Sequence, residues 1–82
     1  MLGRKLTRRE WLAERMDRLN SRKIQRQCRI NELMIQYTED PHEFQIIMIE
    51  TAYLEISRIE RELVECQAEL ARLITAELYP QY

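Results

Sequence analysis

The stretch TEDPHEFQ, residues 38–45, decides the fold, because it ends one helix and begins another. Asp40 suits a helix N-cap, since its carboxylate can accept hydrogen bonds from free backbone N–H groups. Pro41 suits the first helical position and pushes the residue before it out of the helical region. Glu43 would complete a capping box at this start. We therefore predict two helices joined by a turn at about residues 38–40.

The chain on both sides of this turn is typical of long helices. It has 82 residues with only one glycine and two prolines, which disfavours glycine-rich phosphate loops and sheets built on tight turns. Thr7 and Glu10 match a capping box. We predict helix 1 over about 8–37 and helix 2 over about 41–78, with Pro80 as a stop beyond it. The pair Asn20-Ser21 leaves open whether helix 1 is continuous.

Helix 2 carries an apolar seam whose members recur at alternating steps of three and four residues: Ile49, Ala52, Ile56, Ile59, Leu63, Cys66, Leu70 and Leu73. This spacing is typical of a coiled coil. Two long helices joined by a short turn lie antiparallel, so the numbers of contacting residues should sum to about 79. That register places Leu19 opposite Ile59. The predicted fold is an all-α antiparallel two-helix hairpin, one domain over 1–82, completed by a partner or by self-association into a four-helix bundle.

The charge of the chain is divided between its two halves. Residues 1–38 contain ten Lys/Arg and four Asp/Glu, whereas residues 39–82 contain three Arg and ten Asp/Glu. Five arginines of helix 1 form a stripe that is a candidate polyanion-binding site: Arg15, Arg18, Arg22, Arg26 and Arg29. The alternative is a solvated face that pairs partly with acidic residues of helix 2. The net charge of −1 and the lack of interleaved aromatic residues argue against nucleic-acid binding.

The apolar residues near the turn exceed what a two-helix seam needs, which is about two positions in seven. The surplus consists of Phe44, Ile47, Met48, Tyr53 and Leu54 in helix 2, and Ile35 and Tyr37 in helix 1. Exposed apolar patches mark interaction sites in soluble proteins. We expect this surface to bind a helical protein partner or a second copy of the chain, and the pattern does not choose between them.

The sequence offers little for catalysis. It has one histidine, His42, and two cysteines, with no Cys-x-x-Cys and no Glu-x-x-His pair. We therefore expect no enzyme activity, no cofactor and no metal. No apolar run reaches the length of a membrane span, and the N-terminal residues lack the apolar core of a secretory signal. The expected location is the cytoplasm.

The segment DPHEFQ, residues 40–45, followed by IETAYLE, residues 49–55, resembles the small needle-subunit co-chaperones of bacterial type III secretion systems. The resemblance covers roughly residues 25–75, and the matching positions are Asp40, Pro41, Phe44, Gln45, Glu50, Ala52 and Leu54. It implies a cytoplasmic helical hairpin that pairs with a larger, tetratricopeptide-like co-chaperone. Together the two would keep the needle subunit monomeric before export. The resemblance would assign the apolar surplus to the larger co-chaperone.

Overall fold

The computed structural model describes residues 5–79, and Pro80 therefore lies outside the described residues. Helix α1 spans Arg8–Glu39 and helix α2 spans Glu43–Leu78, and the two pack against each other as an antiparallel hairpin. No strand occurs between residues 5 and 79. The predicted fold class is confirmed. Helix α1 ends two residues later than predicted, and α2 begins two residues later.

The first helix begins with the predicted capping box. The Thr7 hydroxyl accepts a hydrogen bond from the Glu10 backbone N–H at 3.1 Å, and the Glu10 carboxylate accepts one from the Thr7 N–H at 3.1 Å. The helix then runs without a break through Asn20 and Ser21. It is therefore one continuous element, and packing along its length outweighs the weak helical preference of that pair.

The predicted cap of the second helix is wrong. Asp40 is the C-cap of α1, where its backbone N–H donates to the Gln36 carbonyl at 2.8 Å. The N-cap of α2 is His42, and Gln45 takes the part assigned to Glu43, because its Oε1 accepts from the His42 backbone N–H at 3.1 Å. Pro41 lies between the helices and outside both. The break between the two helices lies where the sequence predicts it, but Asp40 caps the C-terminus of α1 and not the N-terminus of α2.

The core is a seam between the helices, divided into two clusters. The larger one lies towards the open end of the hairpin and joins Leu12 and Leu19 to Ile59, Leu63 and Cys66. The smaller one lies nearer the turn and consists of Ile30, Ala52 and Ile56, with Ile49 packed against it. These groupings confirm the predicted seam and its register.

Two basic residues of α1 separate the clusters. Lys23 and Arg26 occupy seam positions by their spacing from Leu19 and Ile30, yet both are only half-buried. The Lys23 ammonium lies 3.8 Å from a Glu60 carboxylate oxygen, and Arg26 Nε lies 2.5 Å from Glu55 Oε2. Long basic side chains can cover apolar surface with their stems while their charges reach outward. In the middle of the hairpin, basic seam residues thus pair with carboxylates at its edges.

Candidate protein-binding surfaces

The hairpin presents two broad faces, one on each side of its seam. In a seven-residue repeat, the positions that flank the seam on one side differ from those that flank it on the other. One side, which we call the ladder face, carries two charge series at intervals of seven residues: Arg8, Arg15, Arg22 and Arg29 of α1, and Glu55, Glu62 and Glu69 of α2. Three of the surface grooves are lined by residues of this face.

Ion pairs cross the seam along the ladder face. Arg8 forms a two-point hydrogen bond with Glu69, in which Nη2 lies 2.8 Å from Oε1. One heptad further along, Arg15 Nη2 lies 3.3 Å from Glu62 Oε2. The antiparallel register would bring Arg22 to Glu55, but Glu55 pairs with Arg26 instead. Two pairs, Arg8–Glu69 and Arg15–Glu62, therefore join the arginine series to the glutamate series towards the open end of the hairpin, and Arg26–Glu55 adds a third contact nearer the middle.

Trp11 supports the end of the ladder. The Arg8 guanidinium lies 4.4 Å from the centroid of the Trp11 ring, and that of Arg15 lies 5.6 Å from it. A cation over an indole face is attracted by the ring quadrupole. The hydrogen bonds with Arg8 lower the pKa of the Glu69 carboxyl from its usual value, and those with Glu69 raise the pKa of Arg8. Both charges are thus favoured in the fold.

The five arginines of the predicted polyanion site differ in their contacts. Arg15 and Arg26 pair with carboxylates of α2, and Arg29 Nη1 lies 3.3 Å from Glu32 Oε2 on its own helix. Within residues 5–79, no carboxylate lies within ion-pair distance of Arg18 or Arg22. Arg22 does line a groove with Arg26 and Arg58. Three of the five charges are therefore already matched within the chain.

The other side of the seam, which we call the acidic face, combines exposed apolar side chains with carboxylates. Its members are Asp17, Ile24, Gln27, Asn31 and Met34 of α1, and Glu43, Ile46, Glu50, Tyr53, Glu60 and Val64 of α2. A shallow groove lined by Gln27, Ile30, Asn31 and Tyr53 lies on this side. Tyr53 is 53% exposed and Ile24 is 61% exposed. None of the face's own members is basic.

The structure leaves all seven predicted partner-binding residues exposed, but it spreads them around the turn end. Tyr53 lies on the acidic face, and Met48 lines a groove of the ladder face. Ile35, Ile47 and Leu54 occupy positions opposite the seam, at the outer edges of the hairpin. By its position in the same seven-residue repeat, Phe44 lies on the ladder side. Its ring stacks on that of His42, with the ring centroids 5.5 Å apart. Tyr37 lies at the turn end of the seam.

Sequence reasoning missed several residues of these surfaces. Ile24 and Val64 are exposed apolar residues that were not assigned to a surface, and Gln45 is buried at a seam position. The signal for Gln45 was present, since it precedes Ala52 by seven residues. The seven-residue spacing of Arg8, Arg15 and their glutamate partners was also readable. Pairing of the arginine stripe with acidic residues of helix 2 was considered from the sequence, but the individual pairs were not identified and Arg8 was not included in the series.

The described chain shows no membrane-spanning or metal-binding element. Neither α1 nor α2 contains a segment that is long and apolar enough to cross a bilayer. Residues 5–79 bring together no group of three or more side chains suited to hold a metal ion. Cys66 is buried in the larger core cluster and Cys28 is exposed, and both are free thiols.

The fold and surfaces define the class of this protein as an antiparallel two-helix coiled-coil hairpin. Comparison of the chain with protein-family models, with curated proteins and with solved structures finds no match. The functional argument therefore depends on the surfaces of the hairpin.

Proposed function

We propose that this protein is a non-enzymatic protein–protein interaction module that binds a helical partner through the apolar surface around its turn. The observation that supports this most is the exposure of Ile47 and Leu54, which are 64% and 68% exposed in a hairpin whose seam is already filled. Large apolar side chains exposed at one end of a hairpin in this way favour association, since burying each would remove apolar area from water.

The specific partner that we propose is the larger, tetratricopeptide-like co-chaperone of a type III secretion system. The support for it is the resemblance of residues 40–55 to the small needle-subunit co-chaperones. In this role the hairpin would stabilise the larger chaperone while it holds the export substrate in the cytoplasm. Helix-in-groove packing would supply the affinity, because a concave helical-repeat surface can cover apolar side chains on both edges of the turn end.

The experiment mixes the purified full chain with the purified larger co-chaperone and measures the mass of the mixture by light scattering. We expect a stable complex, and we expect Ile47→Asp to abolish it while circular dichroism shows unchanged helicity. Burying an unpaired carboxylate in an apolar contact is costly. Ala68→Asp is the matched control, because Ala68 is exposed at the same heptad position but lies three heptads from Ile47.

Two results would contradict the proposal at different levels. Absence of any complex would refute the secretion partner. A complex that forms equally well with Ile47→Asp would show that the turn-end edge does not make the contact. Ala68→Asp that failed as badly as Ile47→Asp would point to a general effect of added negative charge.

A further inference from the structure

The acidic face contains carboxylates that the hairpin itself leaves without an opposite charge. Within residues 5–79, no lysine or arginine lies within ion-pair distance of Asp17, Glu43 or Glu50. Their own helices cannot supply one, since no basic residue stands three or four positions before or after any of the three. None of the three therefore takes part in an ion pair between the helices, in contrast to Glu55, Glu62 and Glu69 of the ladder.

Lys23 of the seam reaches this side and is already engaged. Its ammonium lies 3.8 Å from a carboxylate oxygen of Glu60, which belongs to the face. The remaining members of the face with charge are all negative. Any ligand of the acidic face therefore meets a field of one sign, which favours a positively charged partner.

An apolar strip runs between these carboxylates. The strip begins at Ile24 and Tyr53 and includes the groove that Ile30 lines. It ends at Met34 and Ile46 near the turn. From residue 24 to residue 34 the helix rises about 15 Å, which is nearly three turns of a docked helix. Apolar anchors at every third or fourth position of such a helix would follow the strip.

A second copy of the chain does not match this face. Packing two acidic faces together would bring the carboxylates of one copy against those of the other, and like charges across an interface are unfavourable. On the ladder side Arg8, Arg15 and Arg26 already pair with glutamates. A second copy could offer Arg18 and Arg22, which are unpaired within residues 5–79, only together with Glu55, Glu62 and Glu65 of the same side, which would repel the acidic face. The apolar residues alone would suit either a second copy of the chain or a different protein. The charge pattern favours a different, positively charged partner.

From these observations we propose that the acidic face is a docking site for a basic amphipathic helix of another protein. This proposal rests on the interaction role proposed above, but it assigns a second surface, the acidic face, which differs from the turn-end edge of Ile47 and Leu54. The docked helix would place apolar side chains on the strip of Ile24, Met34 and Tyr53. Its lysines or arginines would pair with Asp17 and Glu50 on the two sides of that strip.

The test uses the full chain and a fluorescein-labelled synthetic peptide of roughly 15 residues, long enough to form a helix on binding. Its leucines recur every three or four residues, and lysines occupy the flanking positions. A second peptide carries glutamate in place of lysine. Fluorescence anisotropy should show binding of the lysine peptide, weakened by salt, and none of the glutamate peptide.

Charge reversal on the protein identifies the site. We expect Glu50→Lys to weaken the lysine peptide by roughly fivefold or more and to allow the glutamate peptide to bind. The matched control is Glu65→Lys, since Glu65 is an exposed carboxylate on the ladder side, beside Arg8 and Arg15 in a groove of that face. It should leave the affinity for the lysine peptide unchanged.

The outcomes separate this proposal from the broader one. Equal binding of both peptides at the acidic face would overturn the charge argument and leave an interaction module in place. Loss of lysine-peptide binding with Glu65→Lys but not with Glu50→Lys would assign the site to the other face. Self-association of the unaltered chain that Glu50→Lys abolishes would identify a second copy as the occupant and overturn the proposal. No binding of either peptide, with the co-chaperone also failing to bind, would refute both proposals.

Discussion

Both faces of the hairpin carry carboxylates, but only the ladder face carries arginines of its own opposite them. On the ladder face, Glu62 and Glu69 lie opposite Arg15 and Arg8, and each pair joins α2 to α1. On the acidic face, Asp17 and Glu50 have no such partner within residues 5–79. The glutamates of α2 therefore fall into two groups, those that pair with a basic residue of α1 and those that do not. Those of the ladder contact arginines of α1, whereas Glu43 and Glu50 of the acidic face have no basic partner within residues 5–79.

The apolar residues show the same division. Leu19 and Ile59 are almost completely buried in the seam, while Ile24 and Leu54, each five residues from one of them, are mostly exposed. Burial in a helix is set by angular position, which changes by about 100° per residue. A single helix can therefore hold a folding surface and a binding surface within the same two turns.

The largest expected effect comes from breaking the seam. Leu19→Ala should lower the free energy of unfolding by about 2–5 kcal/mol, because it removes buried methyl groups and leaves a cavity in the larger core cluster. Such a loss is comparable to the whole stability of a small domain. Thermal melting followed by circular dichroism measures it.

The matched variant for that measurement is Ile24→Ala, which shortens an exposed residue of the same helix. It should change the free energy of unfolding by no more than about 0.5 kcal/mol. If Ile24→Ala destabilised the protein as much as Leu19→Ala, Ile24 would be buried in solution, and the acidic face would be covered rather than free.

A smaller effect is expected from breaking the ladder. Glu62→Lys replaces an attraction to Arg15 with a repulsion and should destabilise the hairpin by roughly 1 kcal/mol in low salt. Salt should reduce the loss, since it screens charges at a surface. Urea unfolding at two ionic strengths tests this.

Glu50→Lys makes the same chemical change on the acidic face and serves as the comparison. It should leave the urea midpoint unchanged, because Glu50 makes no ion pair within residues 5–79. Equal destabilisation by the two variants would mean that the charges of α2 act through its overall field and not through the ladder contacts.

The sequence predicted the hairpin well because its seam obeys a simple period. The seven-residue repeat predicts that Leu19, Ile59 and Cys66 are buried in the core. A rule that acts within four residues predicts the Thr7–Glu10 capping box. The cap at Asp40 was wrong because the same residue can end one helix or begin the next. Only the hydrogen bond of its backbone N–H to Gln36 settles which one.

The surfaces were harder to predict because they depend on both helices at once. The arginine stripe is visible in α1 alone, but its pairing with Glu55 and Glu62 needs the antiparallel register and the side of the seam. For the same reason Met48 and Tyr53, which belong to one apolar surplus in the sequence, lie on opposite faces of the structure. The occupant of these surfaces stays a prediction.

The smallest effect concerns pH at the end of the ladder. The hydrogen bonds from Arg8 lower the pKa of the Glu69 carboxyl below its usual 4.5, so folding favours the ionised form. A carboxyl with a lowered pKa stabilises the fold above its unfolded pKa and loses that contribution as the pH falls through its folded value. The free energy of unfolding should therefore decrease below about pH 4.5, and Glu69→Gln should remove part of that decrease. Glu65→Gln, which also removes one carboxylate, should keep the decrease; if both variants flatten the pH profile alike, total charge governs it and the Arg8–Glu69 contact does not.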